Sequence, residues 1–220
     1  MTTSRIAGLL VLCALPFFAE SALADKAEWA DKWEGSYDPG RALRRSDVAI
    51  GLSLGVALGG VSGYPNDVQK LNDPAYEANL GAAAGGAGAV WLGGALRDWF
   101  VVGIGYASST TTGHGYTSVA RDFILHIEGF PLFAKGGAWQ NLALIGDFGG
   151  GAQKITKQDL TSADGGAMAF VAFGVLYEPL RLGDHFSGGP VLEVTEQFSD
   201  SLNATLVTGG FQIAFYGGPS

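Results

Sequence analysis

The residues best suited to chemistry are few, and most of them are acidic. The chain has three His and one Cys among 220 residues, with 21 Asp or Glu against 13 Lys or Arg. Hydrolysis by a Ser nucleophile needs a neighbouring His base and an acid that orients it. No Ser lies at a recognisable spacing from His114, His126 or His185. The sequence therefore predicts no catalytic residues and no enzyme.

Other site chemistries also lack their residue patterns. A single Cys excludes a disulfide scaffold and a Cys-based zinc site. The Gly clusters at 85–88 and 149–151 are not followed by Lys-Ser or Lys-Thr, so neither is a phosphate-binding loop. A net charge of −8 with few basic runs argues against nucleic-acid binding. We expect no cofactor-binding site and no metal site.

Composition limits the class of protein further. Gly accounts for 35 residues, while charged residues are 15% and hydrophobic residues 47%. So apolar and weakly charged a chain is not disordered. The Gly residues have no three-residue period, which excludes collagen. The length suggests one folded domain.

The first 24 residues are typical of a secretory signal peptide. Arg5 supplies the positive start, an apolar stretch of about 14 residues follows, and residues 22–24 read Ala-Leu-Ala. Small residues at these positions predict cleavage between Ala24 and Asp25. An uncleaved anchor is the alternative, but the apolar stretch is short of the roughly 20 residues that span a bilayer as a helix.

Residues 48–59 carry the clearest structural pattern. Large aliphatic side chains alternate with Gly, Ala and Ser over the whole stretch, which indicates a strand because side chains alternate faces at this period. Neither face carries charge, unlike a strand that is half exposed to water. The large face must contact something apolar, which we expect to be lipid, and the small face suits the cramped interior of a narrow barrel. The lipid-facing residues are Val48, Ile50, Leu52, Leu54, Val56 and Leu58.

The alternation recurs six more times, in stretches that begin near residues 100, 123, 142, 169, 191 and 206. With the Gly-rich segment around 79–96, this predicts eight strands. A membrane helix over residues 78–96, with a Gly-rich packing face, is the alternative for that segment.

The chain resembles the small outer-membrane β-barrels of Gram-negative bacteria, the OmpA/OmpX-like eight-stranded type. The most specific local match is the stretch 208–215, which resembles the terminal-strand signal of such proteins through Thr208, Gly210, Ile213 and Phe215. The resemblance implies an all-β, eight-stranded antiparallel transmembrane barrel of up-and-down meander topology. It also implies outer-membrane lipid and the barrel-assembly machinery as partners, and both termini in the periplasm. We expect a monomer.

The resemblance also sets the domain boundaries. Residues 25–46 form a periplasmic N-terminal segment, 47–216 the barrel and 217–220 a C-terminal tail. We interpret the N-terminal segment as a solvated linker, with a docking peptide as the alternative. Aromatic residues near the strand ends are expected to form the interfacial girdles. The candidates are Trp99, Phe100, Phe130, Phe133, Tyr177, Phe215 and Tyr216.

Strand parity places a small polar cluster inside the barrel, made of His126, Glu128, Asp147 and Glu193. A symmetric turn around residues 137–138 would set Glu128 directly opposite Asp147, where like charges repel. We therefore predict a compensating partner: Arg97, Arg121 or Arg181, a bound cation, or a proton shared by the two acids. A neutralised packing network is the favoured interpretation, and a proton or cation site is the alternative.

These features predict a protein of the cell outer membrane, exported through the periplasm, with a structural or interaction role. A narrow channel or hydrophobic-solute conduit is the alternative, since the predicted lumen is rich in Gly and Ala. A lipid-modifying enzyme is less favoured because the chain lacks the His-x-Ser-Asn run that such outer-membrane enzymes carry. A soluble lipocalin-like barrel would need a polar exterior, which residues 48–59 do not provide.

Overall fold

The computed structural model describes residues 45–65, 71–157 and 162–218, with side chains left out at 162–165. The signal peptide, its cleavage site at Ala24 and Asp25, and most of the 25–46 segment lie outside the described residues. Within the described part, no helix is both long and apolar enough to cross a membrane.

Eight long strands make up most of the described part of the chain. Two short strands and two 3₁₀ turns, Phe133–Lys135 and Gly137–Asn141, lie in the links between them. The short strands are β2 (Ala78–Asn79) and β8 (Leu180–Leu182). The long strands are β1 (Asp47–Gly63), β3 (Ala83–Arg97), β4 (Phe100–Gly113), β5 (Tyr116–Gly129), β6 (Leu142–Lys157), β7 (Ser162–Tyr177), β9 (Phe186–Phe198) and β10 (Leu202–Tyr216).

The long strands close into a barrel. Each pairs antiparallel with the next long strand along the chain, and β10 pairs with β1 from Ala49↔Tyr216 to Gly63↔Leu202. The eight-stranded antiparallel meander predicted from the sequence is confirmed. The helical alternative for residues 78–96 is wrong, because this segment contains β3, which pairs with β1 and β4.

The apolar side chains of β1 point away from the barrel axis. Its six large aliphatic residues are exposed, Val48 at 53% and Leu54 at 62%, while Ala49 and Ala57 are fully buried. The same polarity continues around the wall, where Ile104 is 71% and Phe123 76% exposed. The large residues therefore cover the outside, and the small ones face the lumen.

The small residues of β1 make room for a large one. Gly51 pairs directly with Trp91 of β3, and a Cβ on Gly51 would overlap the indole ring. Trp91 itself is 2% exposed and points into the barrel. The lumen is therefore narrow partly because a Trp fills it, and Gly51 is the position that accommodates the ring.

Two apolar layers fill the ends of the barrel. We call the end with Asp47 and Tyr216 the base, and the opposite end the top. The base layer includes Ala49, Val101, Phe130, Leu176 and Tyr216. The top layer includes Val61, Leu80, Ile155, Met168 and Leu202.

The girdle assignments differ from the structure at the base. Phe130 and Tyr216 are buried in the base layer, and Trp99 and Phe133 pack against it. Phe130 and Phe133 lie in the link 130–141, which contains both 3₁₀ turns, and Tyr216 continues the inward parity of β10. Tyr177 remains exposed.

Candidate functional site

A buried charge cluster occupies the lumen just above the base layer. Its centre is His126 on β5, which pairs directly with Asp147 on β6. The His126 Nδ1 lies 2.6 Å from the Asp147 Oδ1, and its Nε2 lies 3.0 Å from the Glu128 Oε1. His126 is 2% exposed and Glu128 0%. One imidazole thus bridges two carboxylates away from water.

The predicted opposition of Glu128 and Asp147 is wrong. Glu128 pairs with Ile145, two residues from the predicted partner, because the 3₁₀ turns make the β5–β6 link asymmetric. A shift of two residues preserves the face on which each side chain lies. The two acids therefore still share the lumen, but they are not directly opposite each other.

The predicted compensating partners also differ from the structure. Arg121 is exposed on the outer wall, Arg97 is exposed at the base, and Arg181 lies at the base near Glu178 and Arg45. His126 takes the place between the two acids. When protonated, it donates a hydrogen bond to each carboxylate and offsets one of the two negative charges.

Further contacts fix the cluster in place. The Trp91 indole stacks on the His126 ring with centroids 4.5 Å apart and an interplanar angle of 17°. The Gln212 amide of β10 donates to the Glu128 Oε1 at 2.5 Å. The Glu128 Oε2 is buried and has no hydrogen-bond partner among the described residues. Strands β3, β5, β6 and β10 are therefore joined across the lumen at this level.

A small cavity lies above the cluster, with a volume of about 40 Å³. Asp147, Glu193, Asp122 and Gln197 line it, and Glu193 is partly exposed there. Since one water needs about 10–15 Å³ of such space, the cavity has room for a few waters. Within the described residues, no group of three or more His, Cys, Asp or Glu side chains is arranged to hold a metal ion.

Sequence reasoning missed two members of this region. Asp122 is 1% exposed and accepts a hydrogen bond from the Gln197 amide at 2.5 Å. Extending the parity of β5 beyond Phe123 would have placed Asp122 inside. Trp91 was missed because it lies between Val90 and Leu92, and this run of three large residues hides the period of two.

A second buried charge pair seals the base. Arg45 is 0% exposed, and its Nη2 and Nε donate to the Glu178 Oε2 at 2.5 and 2.9 Å. Its guanidinium also lies 3.5 Å from the Phe130 ring centroid, and its backbone N–H donates to the Asp98 carboxylate. The solvated-linker interpretation is therefore wrong for Arg45, because the chain enters the barrel mouth there.

The Glu178 carboxylate accepts the hydrogen bonds that connect the residues of this base site. Its Oε1 accepts hydrogen bonds from the Ser187 hydroxyl at 2.5 Å and the Tyr216 hydroxyl at 3.1 Å. A buried carboxylate with this many donors holds a fixed position. The base site therefore ties residue 45 to the link after β7 and to the last long strand.

The residues of the terminal-strand motif lie on both faces of β10. Thr208 and Gly210 lie on its inward face, whereas Ile213 and Phe215 lie on its outward face. The strand does not end at Phe215, since Tyr216 follows within it and Gly217 donates to the Val48 carbonyl at 2.8 Å. The start of the 217–220 tail thus continues the pairing with β1.

The side chains of the lumen cluster are hydrogen-bonded to one another. Both ring nitrogens of His126 are engaged by carboxylates, so the imidazole has no free position from which to activate a hydroxyl. The bridging His and the stacked Trp join strands that are distant along the chain. The arrangement is a buried polar network in which one imidazole lies between two carboxylates.

No protein-family model matches the sequence, and no curated protein sequence matches it. Among solved structures, Ail, the attachment invasion locus protein of Yersinia pestis, is 14% identical at a TM-score of 0.41, covering 77% of this chain and 99% of Ail. OprG from Pseudomonas aeruginosa is 9% identical at 0.39, covering 79% and 98%. The N-terminal β-barrel domain of OprF from the same organism is 13% identical at 0.36, covering 78% and 98%. The closed pairing of this chain's own eight strands bears out, at the level of the fold, the resemblance to small outer-membrane barrels.

Proposed function

We propose that the chain is an integral β-barrel of the Gram-negative outer membrane with a structural or interaction role. The outward apolar wall carries this proposal. Each large side chain left in water would forgo roughly 1.5–3 kcal/mol of burial, and exposed residues such as Leu54, Ile104 and Phe123 lie all along the wall. The outward run of β1, residues 48–58, has the roughly 9–11 residues that a tilted strand needs to cross a bilayer.

The filled interior supports a scaffold rather than a conduit. From base to top, the lumen holds the Arg45–Glu178 pair with the base apolar layer, the His126 cluster, the small cavity and the top apolar layer. Eight-stranded barrels have interiors that side chains can fill. We infer that the exposed residues 71–77, in the link before β2, belong to the surface through which the protein interacts.

Membrane fractionation combined with heat-modifiable gel mobility tests the proposal. We expect the protein in the outer-membrane fraction, resistant to salt extraction, with different mobility before and after boiling because the barrel stays folded in detergent. Release into the soluble fraction by salt would favour a lipocalin-like barrel and overturn the proposal. N-terminal sequencing of the exported protein is expected to begin at Asp25.

Conductance in planar bilayers separates the scaffold from the channel. The cavity beside Asp122 and Glu193 is the observation in favour of a channel, but apolar layers lie on both sides of it. We expect no conductance above that of the bilayer alone, and a reproducible open state would favour the channel. Unchanged mass spectra of lipid A, with and without the protein, are expected if the barrel is not a lipid-modifying enzyme.

A further inference from the structure

One sector of the outer wall, on β4, β5 and β6, changes from apolar to polar within a few residues. Strand pairing aligns its outward side chains in rows of three, one from each strand. Listed from the base toward the top, the rows are Ile104–Leu125–Phe148, Tyr106–Phe123–Gly150, Ser108–Arg121–Ala152, Thr110–Val119–Lys154 and Thr112–Thr117–Thr156. Two cations thus stand directly above the aromatic row and below a row of Thr.

Arg121 and Lys154 form a basic pair. They lie in consecutive rows on adjacent strands, and such diagonal neighbours are about 7–8 Å apart. Both are exposed, and Arg121 makes no ion pair with any residue whose side chain the structure describes. On its other side Lys154 pairs with Asp164 of β7, whereas the strand neighbours of Arg121 are the uncharged Ser108 and Ala152. In a chain of net charge −8, two cations facing outward in consecutive rows form a distinct feature.

The remaining described cations lie elsewhere. Arg45, Arg97, Lys135 and Arg181 are at the base, and Lys157 is at the top mouth, 5.7 Å from the Tyr116 ring centroid. The basic pair is therefore the positive charge that the described outer wall presents at its upper level.

An apolar groove lies immediately below the basic pair. It has a volume of about 710 Å³ and is lined by Ile50, Val90, Leu92, Ile104, Tyr106 and Phe123. Tyr106 and Phe123 meet edge to face across its upper part, with centroids 5.8 Å apart. Phe123 is two residues from Arg121 on the same face of β5, so the groove leads up to the cations.

We propose that this sector binds a phosphorylated glycolipid of the outer leaflet. A phosphate lies between Arg121 and Lys154, and one acyl chain lies in the groove. Guanidinium and ammonium groups both suit phosphate oxygens, and the groove supplies the apolar contact that free phosphate could not use. This inference rests on the proposed function, which puts the top of the barrel, opposite the chain ends, at the outer leaflet.

Native mass spectrometry of the full chain in detergent micelles tests the inference, with bis-phosphorylated lipid A as the probe. We expect wild type to retain lipid A and Arg121→Gln/Lys154→Gln to bind it roughly thirtyfold more weakly, since each basic residue near a membrane contributes about fivefold. The matched control, Arg97→Gln/Lys135→Gln, removes the same charge at the base and is expected to bind like wild type.

Two further probes identify the lipid. Dephosphorylated lipid A is expected to bind as weakly to wild type as lipid A binds to the Arg121/Lys154 variant. Phosphatidylglycerol is expected to bind more weakly than lipid A, and equal retention would overturn the glycolipid assignment. Equal retention of lipid A by wild type and the Arg121/Lys154 variant would overturn the site. Either result in a barrel that still fractionates with the outer membrane leaves the proposed function standing, whereas failure to fractionate there overturns that function.

Discussion

His126 separates two buried acids that would otherwise repel each other, and its removal is expected to be costly. Replacing it with Phe leaves Asp147 and Glu128 without their shared partner inside the lumen. Breaking a buried charge network in this way costs about 3–5 kcal/mol. We expect His126→Phe to lower the free energy of unfolding by this amount, measured by urea unfolding in lipid vesicles.

A triple variant provides the control for this prediction. Adding Glu128→Gln and Asp147→Asn to His126→Phe removes the unpaired charges, so most of the lost stability is expected to return. If the triple variant is no more stable than His126→Phe alone, the cost arises from the shape of the ring and not from charge.

The contact between Gly51 and Trp91 supports a second prediction. A methyl group at Gly51 would overlap the indole, so Gly51→Ala is expected to destabilise the barrel by about 1–3 kcal/mol. In a Trp91→Ala background the same change is expected to cost much less, because the ring is gone. Gly209→Ala is the matched control, since a Cβ there meets no atom within 4 Å. Equal costs of Gly51→Ala in both backgrounds would contradict the packing argument.

At the scale of whole elements, the base site couples the residues before β1 to the rest of the barrel. Arg45→Met keeps an apolar stem against Phe130 but leaves Glu178 buried without its cation. We expect a loss of about 3–5 kcal/mol in unfolding free energy. Arg45→Met combined with Glu178→Gln is expected to lose clearly less than Arg45→Met alone. A double variant as unstable as the sum of its singles would show that the two residues act independently.

Strand parity predicts the elements well where side-chain sizes alternate cleanly. In β1, every large residue from Val48 to Leu58 is outward, because a period of two leaves no freedom once one face contacts lipid. In β3 the pattern is weak, since Gly and Ala occupy both faces and Trp91 follows Val90 directly. Pairing with β1 and β4 sets the faces there, and the sequence of β3 alone does not encode that pairing.

The candidate site is likewise only partly predictable from the sequence. The parity of β5 and β6 is sufficient to bring His126, Glu128 and Asp147 to one lumen, but not to choose which of them pair. That choice depends on the link 130–141, whose 3₁₀ turns and inward Phe130 arise from tertiary packing. Arg45 was unpredictable for a similar reason, because its partner Glu178 is 133 residues away in the chain.

At the scale of the whole molecule, the outward wall predicts a strong dependence on depth. Leu54 lies near the middle of the outward run of β1, and Leu54→Arg is expected to cost about 2–4 kcal/mol in folding from urea into vesicles. Thr112→Arg, in the polar row at the top of β4, is expected to cost about 0–1 kcal/mol. Similar costs at both positions would mean that the wall does not contact a hydrocarbon layer.

The pairing of β1 with β10 brings the two ends of the barrel close together. The amide of Gly218 lies 3.2 Å from the carbonyl of Ser46, so a short linker could join the two ends while a new opening is cut at the tight hairpin of residues 113–116. Barrel ends this close favour circular permutation of residues 45–218. We expect the permutant to refold in detergent with the same heat-modifiable mobility. In cells, β10 of the permutant would no longer be the last strand. If the permutant refolds in detergent but fails to assemble in cells, the terminal position of β10 is needed for assembly and not for folding.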